Sequence, residues 1–277
     1  MGSRYKYFHL GYDMAQEGFL YEENVAKALI KKNWVKKTYK PAGASSDRPD
    51  LDLLIDGEEY GCELKKDLAS AGSLVIHHLG GGKYAFGDTE GSAEKEFLKG
   101  LGEKAKVLQA IKNKWKKEPF IQTNRDDKWI AKVRKSGLTL KERYDSDLKN
   151  CRDIIFPLPA STISSYYNLK DTFYINVATH GFYLLGRKDP AGLNDHADPK
   201  IPLWDNNHTA VLRIRIQSKG VTKATEDEKR KGWPSAGAQG YQITMEIQFK
   251  SVSKSPYNIG PILGKSATID EKSIVLP

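Results

Sequence analysis

Apolar residues recur at three- and four-residue spacing in two long stretches of the chain. In the first stretch, Phe19, Ala26, Leu29 and Ile30 would share one helical face, which predicts a helix over residues 14–32. The lysine pair at its end suits the negative end of a helix dipole. A second apolar stripe predicts a helix over residues 92–117, with Ser92 as its N-cap.

Strict alternation of apolar and polar residues indicates strands elsewhere. Residues 50–65 contain two alternating runs joined at Asp56-Gly57, a favoured hairpin turn. Tyr60, Cys62 and Leu64 would share one face of the second run. Further strands are predicted at residues 34–39, 74–78, 173–178, 182–185, 209–217 and 241–250, and long polar loops at residues 41–49 and 218–240.

This order of elements predicts an α/β or α+β fold. A mixed central sheet would be flanked by helices and extended by an additional antiparallel, strand-rich region. We expect a core domain over residues 1–120 and a strand-rich extension over residues 121–277, packed together as one unit.

Composition narrows the functional classes. The chain carries 44 Lys and Arg against 35 Asp and Glu, a net charge of +9, which favours a polyanionic partner. Its two cysteines cannot form a disulfide framework or a cysteine-based zinc site. Because it lacks both an apolar run of membrane-spanning length and a signal-peptide core, we expect a cytoplasmic protein without a membrane partner.

A set of charged residues on the predicted hairpin suggests chemistry. Asp50 follows a proline, and twelve residues separate it from Glu63, which is followed two positions later by Lys65. Pairing about the Asp56-Gly57 turn would bring both carboxylates to one end of the sheet, with an acidic residue of the upstream helix, Glu22 or Glu23. Two close carboxylates repel each other, and a divalent cation such as Mg²⁺ relieves that repulsion. Lys65 would point at a bound water or phosphate, as phosphodiester hydrolysis requires.

Residues 15–67 resemble the core of the PD-(D/E)xK nuclease superfamily, which has the restriction-endonuclease-like fold. The resemblance lies in the order of a glutamate-bearing helix, a serine-containing loop, Pro49-Asp50 and Glu63-Leu64-Lys65. This core is most similar to the Holliday-junction-resolvase type, whereas the length of the chain is closer to that of a type II restriction enzyme. The matched residues cover about a fifth of the chain.

The resemblance implies a role for each matched residue. Asp50 and Glu63 would be metal ligands and Leu64 a ligand through its carbonyl. Lys65 would orient and activate water, with Glu22 as the helix carboxylate. Ser45 or Ser46 would contact a phosphate. The implied metal is Mg²⁺, for which Mn²⁺ would substitute.

The implied activity is Mg²⁺-dependent, sequence-specific DNA cleavage. Alternatives are a structure-specific nuclease such as a junction resolvase, an exonuclease, and a catalytically silent DNA-binding protein on the same scaffold. Because cutting both strands of a palindromic site usually requires a dimer, a homodimer is a further expectation. Residues predicted to contact DNA outside the core are Arg213 and Arg215 on a strand and Lys229, Arg230 and Lys231 in the long polar loop.

Overall fold

The computed structural model describes residues 10–39, 48–68, 70–123, 125–206, 209–218, 241–251 and 253–277. Its helices are Leu10–Lys31 (α1), Ala93–Lys104 (α2), Val107–Lys114 (α3), Asp127–Ser136 (α4), Leu140–Asn150 (α5), Ser161–Asn168 (α6) and Leu193–His196 (α7). Its strands are Leu51–Ile55 (β1), Glu58–Lys65 (β2), Ser70–Gly80 (β3), Lys83–Phe86 (β4), Ile154–Leu158 (β5), Thr172–Val177 (β6), Gly181–Leu184 (β7), Thr209–Ser218 (β8) and Tyr241–Ser251 (β9). The predicted mixture of sheets and flanking helices is confirmed.

The strands form two sheets. One has four strands in the order β1-β2-β6-β7, and the other has five in the order β4-β3-β9-β8-β5. In the four-stranded sheet, β1 and β2 are antiparallel, β2 and β6 parallel, and β6 and β7 antiparallel. This sheet therefore takes strands from both sides of residue 120, and the division of the chain there stays a prediction.

The chain divides into two compact units, each built from three segments. Unit I comprises Met1–Asp13, Gly72–Phe156 and Leu212–Glu246, and unit II comprises Met14–Ala71, Pro157–Val211 and Ile247–Pro277. In unit II a buried cluster joins helix α1 to the four-stranded sheet. Its members include Val25, Leu29, Leu51, Leu53, Cys62, Leu64, Tyr174, Phe182 and Ile259. Burial of these apolar side chains is the main force that holds α1 against the sheet.

Two predicted elements differ from the structure. The predicted strand at residues 34–39 is wrong, because this segment forms turns that follow Asn33, whose φ is 61°. Val35 is buried there by packing rather than by pairing in a sheet. The predicted helix over residues 92–117 is interrupted at Lys106, whose φ of 52° is left-handed, so that α2 and α3 are separate helices. Ser92 does cap α2, since its hydroxyl accepts a hydrogen bond from the Lys95 N–H.

Helices α4 and α5 occupy a polar and basic stretch in which the sequence pattern predicted no element. In unit I, Trp129 and Val133 of α4 form a small buried cluster with Phe120. Among the described residues, no helix is both long and apolar enough to cross a membrane.

Candidate active site

The hairpin of β1 and β2 brings Asp50 close to Glu63 and Lys65. Its turn residues, Asp56 and Gly57, have φ values of 51° and 87°, the left-handed conformations that a tight two-residue hairpin requires. The resulting register pairs Leu51 with Cys62, so the chain on either side of that pair leads to Asp50 and Glu63. The predicted convergence of these residues at one end of the hairpin is confirmed.

Asp50 is fixed by a backbone hydrogen bond. Its Oδ2 accepts from the Leu64 N–H at 3.0 Å, one residue beyond Glu63. Since the N–H and C=O of a strand residue point to the same edge, the Leu64 carbonyl is directed to the edge on which Asp50 lies. The carboxylate and this carbonyl therefore offer oxygen atoms on one side of β2.

Lys65 lies between the two carboxylates. Its Nζ donates a hydrogen bond to Glu63 Oε1 and is 3.7 Å from Asp50 Oδ2. Burial has the largest single effect and would lower the pKa of Lys65, but the interactions with Glu63, Tyr167 and Asp50 together outweigh it and raise that pKa well above its usual range. The ammonium is therefore charged in the protein without metal, and it can act as a donor.

Helix α1 supplies Glu22 rather than Glu23. Glu22 is half-buried and lines the same cleft as Lys65, whereas Glu23 is exposed and pairs with Lys27 at 2.7 Å. Burial first, and then the charge of Asp50, raise the pKa of Glu22 to about 8. The structure thus selects the first of the two adjacent glutamates, because only one of them is on the sheet-facing side of the helix.

A buried hydrogen-bond network holds this part of α1 in place. The Tyr21 hydroxyl donates to the Gly260 carbonyl at 2.9 Å and accepts from Asn176 Nδ2 at 3.1 Å. Asn176, on β6, in turn accepts from the Ile259 N–H at 3.1 Å. Helix, sheet and C-terminal segment are therefore tied together one residue away from Glu22.

Lys170, which lies between α6 and β6, is a site residue that the sequence pattern did not predict. Its Nζ is 4.0 Å from Glu63 Oε2, and its side chain is 7% exposed. It also lies 5.8 Å from the ring centre of Tyr166 and 5.6 Å from that of Tyr167, a cation–π distance. The fully buried Tyr167 hydroxyl has no hydrogen-bond partner among the described residues. A lysine and a tyrosine more than 100 positions from Glu63 gave no local signal of this proximity.

A glycine permits the close approach of that connection to β2. A Cβ at Gly61 would lie 2.5 Å from the Asp171 carbonyl oxygen, too close for any other residue without a backbone shift. The parallel pairing of β2 with β6 begins there, with Gly61 opposite Thr172. Gly61 thereby allows Lys170 to lie beside Glu63.

The surroundings of Asp50 disfavour its ionisation. Burial first, and then the charge of Glu63, raise the pKa of Asp50 to about 6. Glu63 is 2% exposed, and its Oε2 accepts no hydrogen bond from the described residues. A cation would relieve the unfavourable interaction between Asp50 and Glu63 and would give the Glu63 oxygen that lacks a donor a positive partner.

The donor set fits a hard divalent cation. Asp50 and Glu63 contribute carboxylate oxygens and Leu64 a carbonyl, the oxygen ligands that Mg²⁺ and Mn²⁺ prefer. Within the part of the chain that the structure describes, no group of three or more His, Cys, Asp or Glu side chains is arranged to hold a metal. Further ligands would thus come from the backbone and from water, which suits Mg²⁺ because it retains several waters.

A cleft of about 210 Å³ opens beside these residues. It lies within unit II, between the first half of α1 and the end of β2. Its lining residues are Glu17, Gly18, Tyr21, Glu22, Leu64, Lys65, Lys66 and Asp67. A phosphate group could therefore reach Lys65 from solvent.

The arginines predicted to contact DNA are engaged in ion pairs within unit I. Arg213 binds Asp153 at 2.7 Å through Nε, and Arg215 donates to Glu246 Oε2 at 3.2 Å through a terminal nitrogen. Glu246 is 2% exposed, so these arginines serve as its counter-charges. Their contact with DNA stays a prediction. The other predicted contacts, Ser45, Ser46, Lys229, Arg230 and Lys231, lie outside the described residues.

No protein-family model matches the chain, and no curated protein matches it. Among solved structures, it is similar to HhaI endonuclease in complex with DNA, with 13% identity and a TM-score of 0.37. The similarity covers 84% of this chain and 92% of that one. At this identity and TM-score, the function of the chain has to be inferred from its own residues.

Proposed function

We propose that this protein is a metal-dependent DNA endonuclease of the PD-(D/E)xK type. The observation that supports it is the meeting of Asp50, Glu63 and Lys65 beside an open cleft, with Glu22 on the adjoining helix. Bringing one lysine and two carboxylates together largely out of water costs desolvation free energy. Groups with strongly shifted pKa values cluster at functional sites.

Each residue has a separate task in the proposed reaction. Asp50, Glu63 and the Leu64 carbonyl would hold Mg²⁺, or Mn²⁺ in its place. When bound, the ion would neutralise the carboxylates and stabilise negative charge on the scissile phosphate. Lys65 would donate a hydrogen bond that orients the attacking water. Because Lys65 carries its proton while it lies between the two carboxylates, it would release that proton to solvent before it could accept one from the attacking water.

DNA as the substrate is supported by charge. The net charge of +9 attracts a polyanion and would make binding dependent on salt. Sequence-specific cleavage, as in restriction enzymes, is the form of the activity that we propose.

The test is cleavage of supercoiled plasmid and of long linear DNA with Mg²⁺ or EDTA. Wild type is compared with Glu63→Ala and Lys65→Ala, and with Glu59→Gln as a matched control. Glu59 lies on the same strand, but it is exposed and paired with Lys36 at 2.8 Å. We expect discrete fragments that require Mg²⁺, with a loss of at least about 100-fold in both site variants and none in the control.

The products separate the alternatives. Digestion of linear DNA with sparing of closed circles would identify an exonuclease. Cleavage of four-way junctions alone would identify a structure-specific enzyme. Binding of DNA without cleavage of any substrate would contradict the nuclease proposal and favour a silent scaffold.

A further inference from the structure

Lys66 lies in the cleft beside the proposed catalytic residues. Its Nζ is 2.5 Å from Glu17 Oε2, a residue in the first half of α1. The Lys66 side chain is 13% exposed, whereas that of Glu17 is 54% exposed. The ammonium is therefore held by the protein, while its counter-charge sits on a side chain that can turn into water.

The other two lysines described near the carboxylates are placed differently. Lys65 and Lys170 both face Glu63, which is buried, so their charges are balanced inside the protein. Of the three acidic residues of the proposed site, only Glu22 lines the cleft, while Asp50 and Glu63 lie behind Lys65. Lys66 differs from Lys65 and Lys170 because its acidic partner, Glu17, is exposed. A phosphate could therefore replace the Glu17 carboxylate.

Replacing the Glu17 carboxylate as the partner of Lys66 costs little free energy. An ion pair with one largely exposed member contributes little to stability, because water replaces the lost contact and ordering the side chains costs entropy. A Cβ added at Gly18, next to Glu17, would meet no atom within 4 Å, so the cleft is open on that side. A backbone phosphate therefore has room to approach Lys66.

We propose that Lys66 binds a backbone phosphate of the nucleic-acid strand, and that Glu17 occupies this phosphate subsite in the free protein. The inference rests on the proposed nuclease function and assigns a strand-binding residue next to its site. Binding of a strand then exchanges the Glu17 carboxylate for a phosphate, and α1 keeps its position through Tyr21.

The test is the salt dependence of binding of a fluorescently labelled random-sequence DNA duplex, measured in EDTA so that cleavage does not interfere. The variants are Lys66→Gln, Lys66→Arg, Glu17→Gln and the double variant Glu17→Gln/Lys66→Gln. Glu23→Gln and Lys27→Gln serve as matched controls, because this exposed pair on α1 carries the same charges outside the cleft. Circular dichroism verifies that each variant is folded.

We expect Lys66→Gln to weaken binding by about tenfold and to reduce the salt slope by about one, whereas Lys66→Arg retains both. Glu17→Gln should tighten binding by about threefold to fivefold, an effect that vanishes in the Lys66→Gln background. Each control should change affinity less than its counterpart in the cleft.

Equal effects of the cleft variants and the controls would overturn the inference, since only net charge would then matter. Persistence of the Glu17→Gln effect without Lys66, or the absence of DNA binding by wild type, would overturn it as well. Plasmid cleavage with Mg²⁺, run in parallel, reports on the nuclease proposal separately. If wild type cleaves the plasmid but the Glu17 and Lys66 variants bind DNA as wild type does, the phosphate subsite is contradicted and the nuclease proposal is not.

Discussion

The two carboxylate oxygens of Glu63 have different neighbours. Oε1 accepts a hydrogen bond from Lys65, while Oε2 faces Lys170 at 4.0 Å without accepting a hydrogen bond from any described residue. One buried carboxylate therefore interacts with two ammonium groups from distant parts of the chain. Because an isolated buried charge is costly, each lysine contributes a counter-charge that holds the Glu63 side chain in place.

Replacement of the second lysine tests this arrangement. We expect Lys170→Met to lower the free energy of unfolding of the metal-free protein by about 1–2 kcal/mol, because Glu63 loses a counter-charge. In a Glu63→Gln background the loss should be smaller by at least about 0.5 kcal/mol. Urea denaturation measures both values. The exposed Lys188→Met is the control, and equal losses in the two backgrounds would show that Lys170 acts through packing alone.

At the scale of elements, the parallel pairing of β2 with β6 builds the site. The pairing places Glu63 opposite Ile175, and the connection just before β6 carries Lys170. The β1–β2 hairpin brings Asp50 close to Glu63 and Lys65 through a single turn. A local hairpin and a long-range parallel pair thus meet on one strand, β2.

The β3–β4 hairpin in unit I is held by Glu118, which contacts a residue of β3 and the turn between the strands. Glu118 Oε1 faces His78 Nε2 and accepts from the Gly82 N–H, each at 2.9 Å, and Lys132 is 3.3 Å from Oε2. Partial burial would raise the pKa of Glu118. The hydrogen bond from Gly82, followed by the His78 and Lys132 contacts, outweighs burial and lowers it to about 2.

This shift predicts how stability depends on pH. A carboxyl group whose pKa is lowered by folding stabilises the protein above its ordinary pKa of about 4.5, and the effect is lost as pH falls toward about 2. We expect Glu118→Gln to cost about 1 kcal/mol more at pH 6 than at pH 3, after screening by solvent. Urea midpoints at the two pH values measure this difference. It should be absent in Glu103→Gln, and a cost independent of pH would contradict the assignment.

At the scale of the whole molecule, the candidate site requires the folded chain. Its residues come from α1, from the β1–β2 hairpin and from the α6–β6 connection, all within unit II. An unfolded chain would not hold these oxygens together. A cation that binds them therefore binds the folded state and stabilises it.

Metal addition should accordingly raise the stability of wild type. At a Ca²⁺ or Mg²⁺ concentration 100 times its Kd, we expect a gain of about 2.7 kcal/mol, reversed by EDTA. Asp50→Asn should lose the gain, and Asp52→Asn should keep it, because Asp52 lies opposite Gly61 rather than near Lys65. Calorimetric titration and thermal melts give the two measurements. An equal gain in both variants would place the ion elsewhere.

Patterns of neighbouring residues predicted the local parts of this protein. The three-to-four-residue apolar period set α1, and two-residue alternation around Asp56-Gly57 set the hairpin that brings Asp50 to Glu63 and Lys65. These features depend on contacts between residues fewer than about twenty positions apart, where chain geometry fixes which side chains meet. The left-handed turn at Lys106 was hidden because the apolar stripe continues through it.

Long-range packing accounts for the other features of the site. It selected Glu22 over Glu23, placed Lys170 beside Glu63, and paired Arg213 and Arg215 with acidic partners. Each of these outcomes depends on which surfaces pack together, as in the pairing of β2 with β6 across more than 100 residues. Such packing depends on the burial of whole apolar faces and not on any local pattern. The charged residues of the hairpin could therefore be predicted from the sequence, whereas the residues that pack beside them could not.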